Sequence, residues 1–351
     1  MLLNTSKTQP GPNAAGTAVT DRFARPLQDL RLSVLDRCNL RCTYCMPEAS
    51  LDGQGSFLPV SRLLTDDELE RLVRVFAAMG VHKVRLTGGE PLLRPGLPAL
   101  VKRLAGIAGV SDLAMTTNAI LLPRLAAELA ESGLGRITVS LDSLDETVFT
   151  EMSGGRGSVA EVLAGIEAAE RAGFGALKIN TVVQRDVNEA SVLDLVEHFR
   201  GSGHTLRLIE FMDVGNMNHW SPAQVVPGAH LLKQVHDRWP LKPVSDQQAG
   251  ETARRFEFLD GQGEIGFINS ISEPFCGDCT RGRVTADGVF YSCLFSTSGT
   301  ALRPLLRGGL GDAELTEFIR SLWSQRDARY SEYRNGGEQV RSKVEMFRMG
   351  G

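Results

Sequence analysis

Six cysteines fall into two groups of three, and thiolates at such spacing bind metal. Cys38, Cys42 and Cys45 stand in Arg37-Cys-Asn-Leu-Arg-Cys-Thr-Tyr-Cys-Met-Pro47, directly after the largely apolar stretch 30–35. A spacing of three residues and then two lets one tight loop present three thiolates to one iron–sulfur cube. A cube normally takes four protein thiolates, so three leave one iron open to another ligand. Three unrelated buried thiols are the plain alternative, and clustering this tight argues against it. The second group is Cys276-Gly-Asp-Cys279 with Cys293. Asp287-Gly288 between them is a strong hairpin signal, which folds Cys293 back beside Cys279. Structural zinc nearly always takes four ligands, and neither a fourth Cys nor a His lies downstream of His236. Three thiolates favour a second cube, with a zinc knuckle and free thiols remaining open. Two open-iron clusters facing each other would suit one cofactor and one substrate.

Basic residues recur inside apolar, β-prone runs: Arg31, Lys83, Arg85, Lys178 and Arg207, with Arg281 and Arg283 beside Cys279. Lys83 and Arg85 are two apart and share one face of a strand. If that face is a barrel interior, these cations need anionic partners, because a lone buried charge is costly. The alternative is that they face the helices and find carboxylates there. A polyphosphate would satisfy this many cations, and Arg suits bidentate phosphate contacts, so the expected substrate is a nucleotide. Gly88-Gly89-Glu90-Pro91 ends the second run; it is either a plain turn or a place where backbone approaches a ligand closely.

These residues need a scaffold, and the pattern from 30 to 212 alternates strands with helices, as in βα units. Strands are expected at 30–36, 83–87, 113–117, 137–142, 176–183 and 206–211. Helices are expected at 66–79 (Thr65 as N-cap), 97–108, 123–132, 159–172 and 190–201. Six units fall short of the eight that close a barrel. The fold class is therefore α/β, an incomplete (β/α)6 TIM-like barrel with a small C-terminal α+β domain closing its open side. That domain would hold short strands at 256–259 and 265–269, the hairpin 283–286/289–293 and a helix over 310–330. The expected division is a disordered leader at 1–21, a barrel domain at 22–214 and a C-terminal domain at 215–351. Residues 1–20 lack a basic n-region and an apolar core, so they are no signal peptide. A hydrophobic share of 42% and a charged share of 23% describe a globular chain with ample core. The net charge of −4 gives no bulk attraction to nucleic acid or anionic membrane. Reduced thiols fit a cytoplasmic setting.

The first cysteine group after an initial strand resembles the radical S-adenosylmethionine (SAM) enzymes. With Leu30-Arg-Leu-Ser-Val-Leu-Asp-Arg-Cys38, Val84-Arg-Leu-Thr-Gly-Gly-Glu-Pro91, Ile209-Glu-Phe-Met-Asp-Val-Gly215, Phe275-Cys-Gly-Asp-Cys-Thr-Arg-Gly-Arg283 and a terminal Gly-Gly, residues 22–351 resemble the GTP 3′,8-cyclases of molybdenum cofactor biosynthesis. The resemblance implies a lyase with two 4Fe-4S clusters, held by Cys38, Cys42 and Cys45 and by Cys276, Cys279 and Cys293. It implies SAM lined by Tyr44, Gly89, Ser140 and Met212, with the Gly88-Gly89 backbone at the SAM amino group. It further implies GTP bound by Arg31, Arg85, Thr116, Lys178, Arg281, Gly282 and Arg283, with Lys83 and Arg207 as further candidates. Gly350 and Gly351 would enter the active site. In the family a 5′-deoxyadenosyl radical takes the 3′ hydrogen of GTP, and the sugar radical closes on C8 of guanine. An electron donor and the next enzyme, a cyclic pyranopterin monophosphate synthase, would be partners, and a homodimer is compatible. A radical SAM peptide modifier with an auxiliary cluster is the alternative reading. Leu35 stands where the family often has Thr, and Ala119 where Gly is usual.

Overall fold

The computed structural model of the chain describes residues 18–48, 57–247, 250–334 and 343–350. Six parallel strands follow one another in space as in sequence: β1 (Asp29–Ser33), β2 (Lys83–Thr87), β3 (Asp112–Thr117), β4 (Arg136–Ser140), β5 (Lys178–Val183) and β6 (Thr205–Glu210). All lie within two residues of the expected starts. The returning helices are α1 (Asp66–Ala78), α2 (Leu97–Ala105), α3 (Leu122–Glu131), α5 (Val159–Arg171) and α6 (Val192–Phe199), with a short α4 (Glu146–Met152) inserted after β4. Thr65 does cap α1: its hydroxyl accepts from Glu68 N while the Glu68 carboxylate accepts from Thr65 N. That reciprocal pair satisfies two amides left orphaned at the helix start.

Strand alternation divides the side chains cleanly. Leu30, Leu32, Val84, Leu86, Met115, Val139, Ile179 and Leu208 are all at most 1% exposed and join one core with the helices. The intervening residues face inward. A closed barrel fills that interior with layers of branched apolar side chains; here the inward positions are mostly Arg, Lys, Asp, Ser, Thr and Asn, with Ala114, Val182 and Ile209 among them, and a chamber remains.

Beyond β6 the chain adds α7 (Gly228–Arg238), β7 (Leu241–Pro243), β8 (Arg254–Phe258), β9 (Glu264–Ile268), β10 (Arg281–Val284), β11 (Val289–Tyr291), β12 (Thr300–Ala301), α8 (Arg303–Arg307) and α9 (Asp312–Ser324). These strands continue the barrel sheet at both edges. β9 pairs parallel with β6, and β10 pairs parallel with β1. The sheet thus runs β12-β11-β10-β1-β2-β3-β4-β5-β6-β9-β8-β7, with eight strands parallel in its middle and its ends unpaired with each other. The expected leader boundary at residue 21 is too late. Val19 and Asp21 are buried, and Thr20 bridges Pro26, so packed structure includes residues 18–21. The earlier part of the leader lies outside the described residues. No helix among those described is long and apolar enough to cross a membrane.

Candidate active site

The first cysteine loop leaves the C-terminal end of β1 and is held from below by the turn after β2. Gly89 N donates to Leu35 O at 2.8 Å, and Glu90 N donates to Arg37 O at 2.7 Å. A Cβ on Gly88 would stand 2.2 Å from Leu35 O, and one on Gly89 would stand 2.2 Å from Arg37 O. Both glycines are therefore demanded by the cysteine loop's own backbone, a reason different from the expected approach to SAM. Glu90 completes the brace: its buried carboxylate accepts from Leu92 N, Asn118 N and the Thr117 hydroxyl at 2.7–3.0 Å. Burial pushes that carboxyl up to about 7 against the pull of these donors. Asn118 in turn donates to Asn39 at 2.8 Å and faces the Cys38 sulfur at 3.9 Å. Ala119, where the resemblance leads one to expect Gly, has a φ of 66°, a left-handed conformation that Gly adopts more easily. Leu35 packs with Leu63 and Ala286, away from the thiols.

The second group brackets β10. Cys279 lies two residues before Arg281, and Arg281 is in register with Asp29 at the start of β1. β11 returns antiparallel with Tyr291 opposite Arg283, which carries Cys293 back level with Arg281, as the Asp287-Gly288 turn implied. Cys38 lies beyond the far end of β1. The two triads therefore sit at opposite ends of the barrel, separated by at least five strand residues, about 16 Å. All six thiols are free and line one cavity of about 750 Å³.

Cys279 differs electrostatically from the thiols of the first triad, while burial raises Cys293 as it raises them. Burial pushes the Cys38 thiol up to about 11, with Glu90 adding to it, and also raises Cys42 and Cys45. At the other end burial also opposes ionisation of Cys279, but the Arg281 and Arg326 guanidiniums bring that thiol down to about 6. The donor set fits two iron–sulfur clusters, since cationic metal displaces thiol protons. Among the described residues no three His, Cys, Asp or Glu side chains are grouped to hold one metal ion.

Between the triads lie the expected cations. Arg31, Lys83, Arg85, Lys178, Arg207, Arg281 and Arg283 all line the cavity, so the alternative of helix-facing cations is set aside. The lowest layer alternates in sign, with Asp29 in register between Arg281 and Lys83 and Asp112 beyond Lys83. The next layer does not. Arg283, Arg31 and Arg85 stand in register on β10, β1 and β2. Arg85 donates to the Thr116 and Thr138 hydroxyls at 3.2 and 2.9 Å, and Arg207 to Asn180 Oδ1 at 2.9 Å. Burial and mutual repulsion lower Arg85 and Arg283 to about 10, Arg207 to about 9 and Lys178 to about 8. All stay mainly protonated at neutral pH, so the chamber keeps its positive charge. Gly282 is the exception among the carried-over residues: strand alternation turns it outward, where a Cβ would meet Phe290 and Leu27 at 3.0 and 3.1 Å.

Tyr44, Gly89, Ser140 and Met212 line the upper cavity near the first triad. Tyr44 is fixed by donating to Asp142 Oδ2 at 2.7 Å, while Asp142 Oδ1 accepts from Val182 N at 2.9 Å. Asp142 was not singled out from sequence, although it lies two residues beyond Ser140, the last residue of β4. Arg136 and Asn180 also line the chamber; Asn180 is readable as the inward neighbour of Lys178 two residues on. The chain end reaches the same place. Arg283 Nη1 donates to Gly350 O at 2.9 Å, and Gly350 packs against Ser33 and Thr87 at the tops of β1 and β2. Gly351 lies outside the described residues.

With this geometry in place, the chain can be compared with known proteins. Residues 32–199 match the radical SAM superfamily model, and residues 204–332 match the Molybdenum Cofactor Synthesis C model. The chain is 55% identical over 341 residues to a GTP 3′,8-cyclase of Xanthomonas campestris pv. campestris, covering 97% of this chain and 99% of the relative. It is 48% identical over 320 residues to a GTP 3′,8-cyclase of Acidothermus cellulolyticus, covering 90% and 88%. Among solved structures, Streptococcus suis SuiB bound to S-adenosylmethionine superposes with a TM-score of 0.58 at 17% identity, covering 85% of this chain and 68% of that one. That last likeness concerns the fold alone.

Proposed function

The chain belongs to the GTP 3′,8-cyclase family of radical SAM enzymes, and from that premise we propose how its residues divide the work. The reaction is the conversion of GTP to (8S)-3′,8-cyclo-7,8-dihydroguanosine 5′-triphosphate, a lyase step in molybdenum cofactor biosynthesis. Cys38, Cys42 and Cys45 hold the cluster that binds SAM, beside Tyr44, Gly89, Ser140 and Met212. Cys276, Cys279 and Cys293 hold a second cluster at the guanine end. When bound, the first cluster and SAM supply reductive cleavage to a 5′-deoxyadenosyl radical. The protein's share is to fix the ribose between the two ends and keep water away. One observation carries this reading: three arginines stand in register between two thiol triads in a single chamber. A triphosphate neutralises that row, and the distance between the triads leaves room for a nucleoside. An electron donor and an enzyme consuming the cyclised nucleotide complete the proposal.

Equilibrium GTP binding tests the phosphate row. Arg31→Ala and Arg85→Ala should each weaken GTP by about ten- to hundredfold, the worth of one charge-assisted hydrogen bond, with SAM binding little changed. Unaltered GTP affinity in both variants would remove the row from substrate binding. Lys178 adds a pH signature. Burial and the neighbouring Arg207 charge hold it at about 8 in the free protein, so its charge is present below pH 8 and lost above it. A bound phosphate favours the charged form, so GTP should weaken as pH rises from 7 to 9, with proton uptake on binding. Lys178→Arg, whose guanidinium holds its proton more strongly than an ammonium in the same place, should reduce that slope; an unchanged slope would mean Lys178 does not face phosphate.

A further inference from the structure

Asp21, Arg25 and Arg326 come from opposite ends of the chain and meet in a buried ion triad. Asp21 Oδ2 lies 2.7 Å from Arg25 Nε and 2.8 Å from Arg326 Nη1, with all three side chains at most 3% exposed. The Asp21 carboxylate is fixed in turn by the Phe23 and Arg25 amides at 2.9 and 3.0 Å. What the two guanidiniums do with their remaining N–H groups is the informative point. Arg25 Nη1 donates to Cys276 O at 2.6 Å, Arg326 Nη1 to Cys279 O at 3.0 Å, and Arg326 Nε to Ser292 O at 2.9 Å. Every cysteine of the second site is thus held by its own carbonyl or by that of the residue before it.

We propose that Asp21, Arg25 and Arg326 form a clamp that presets the second three-cysteine site before any cluster binds. The inference rests on reading Cys276, Cys279 and Cys293 as cluster ligands. Stability alone gives no reason for such a triad, since apolar residues of similar volume often serve as well in a core. Its geometry does give one. Cys276 and Cys279 lie in a single 3-10 turn and Cys293 lies beyond β11, so no regular element orders all three. The clamp ties these separate segments together and removes their ordering cost from cluster binding. It also draws the negative ends of three peptide dipoles onto cations, leaving one net positive charge behind the thiolates. That charge favours the reduced state of any cluster held there.

The test uses the full chain and two near-isosteric variants, Asp21→Asn and Arg326→Gln, first without clusters and then after anaerobic reconstitution with iron and sulfide. In the cluster-free chain, amide hydrogen exchange over 276–282 and 290–296 should quicken by about tenfold or more in both variants, the effect of losing one hydrogen bond to a charged group. Exchange over 38–46 should not change, which separates local release from general unfolding. After reconstitution, the reduction midpoint of the second cluster should move negative in Arg326→Gln, where a cation is lost, and should not do so in Asp21→Asn. Wild-type exchange at the second site in both variants would overturn the clamp, as would equal quickening at both sites. A wild-type protein saturating near four irons would refute the second-cluster reading, and the exchange measurement would still decide the clamp.

Discussion

Replacing Cys38, Cys42 or Cys45 by Ala should abolish SAM cleavage, while replacing Cys276, Cys279 or Cys293 should abolish cyclisation and leave some uncoupled SAM cleavage. The asymmetry follows from placement. The first triad shares the upper chamber with Tyr44, Gly89, Ser140 and Met212, so in the proposed reading its loss would remove the electron path to SAM. The second lies about 16 Å or more away along β1, beyond the arginine row, where in the proposed reading a cluster would meet substrate and not SAM. Reconstituted protein should hold about eight irons per chain, falling to about four in either set of variants. Equal partial losses of SAM cleavage in both sets would show that the triads do not divide the reaction between them.

A single methyl at the chain end should be nearly as damaging. Gly350 has a φ of 68°, and its carbonyl accepts from Arg283 inside the chamber. In Gly350→Ala the new Cβ would fall 2.1 Å from Thr87 Oγ1 and 2.7 Å from Ser33 Oγ, so the tail or these strand-end side chains must shift. Catalytic geometry displaced by about an ångström can cost about a hundredfold in rate; cyclisation should drop at least that far. Iron content and fold should stay normal, because the tail follows every strand and helix of the barrel. Thr87→Ala removes the nearest obstacle and should return part of the lost activity in the double variant. A Gly350→Ala enzyme working at the full rate would show that the chain end is passive.

Much of this site could be read in the residues because its chemistry is carried by spacing. Three-then-two cysteine spacing, a Cys-x-x-Cys with a returning hairpin, and Lys83 and Arg85 two apart each translate directly into loop or strand geometry. The six barrel strands were legible for the same reason, since their outer faces repeat Leu, Val and Ile at period two. What was hidden depends on contacts distant in sequence. No local pattern indicates that β10 would pair with β1 and β9 with β6, because both ladders join segments more than 50 residues apart. The register of Arg283, Arg31 and Arg85 follows from those ladders and was hidden with them. α7, with Gly228 and no side-chain cap at its start, carried no start signal. Gly88 and Gly89 were singled out for a close approach to SAM, whereas the carbonyls that exclude a side chain there belong to the cysteine loop. Asp21 looked like the end of a leader; only its meeting with Arg326, 305 residues later, shows it to be core.

The most direct test is anaerobic turnover of GTP carrying deuterium at C3′, with SAM and a reductant, followed by mass analysis of both products. The cyclised nucleotide is an isomer of GTP, so its mass alone would not reveal it; the fate of the label does. We expect 5′-deoxyadenosine one mass unit heavier than normal, together with a nucleotide that has lost the label and separates from GTP. Unlabelled 5′-deoxyadenosine alongside intact deuterated GTP would contradict the assignment of this chamber to GTP cyclisation.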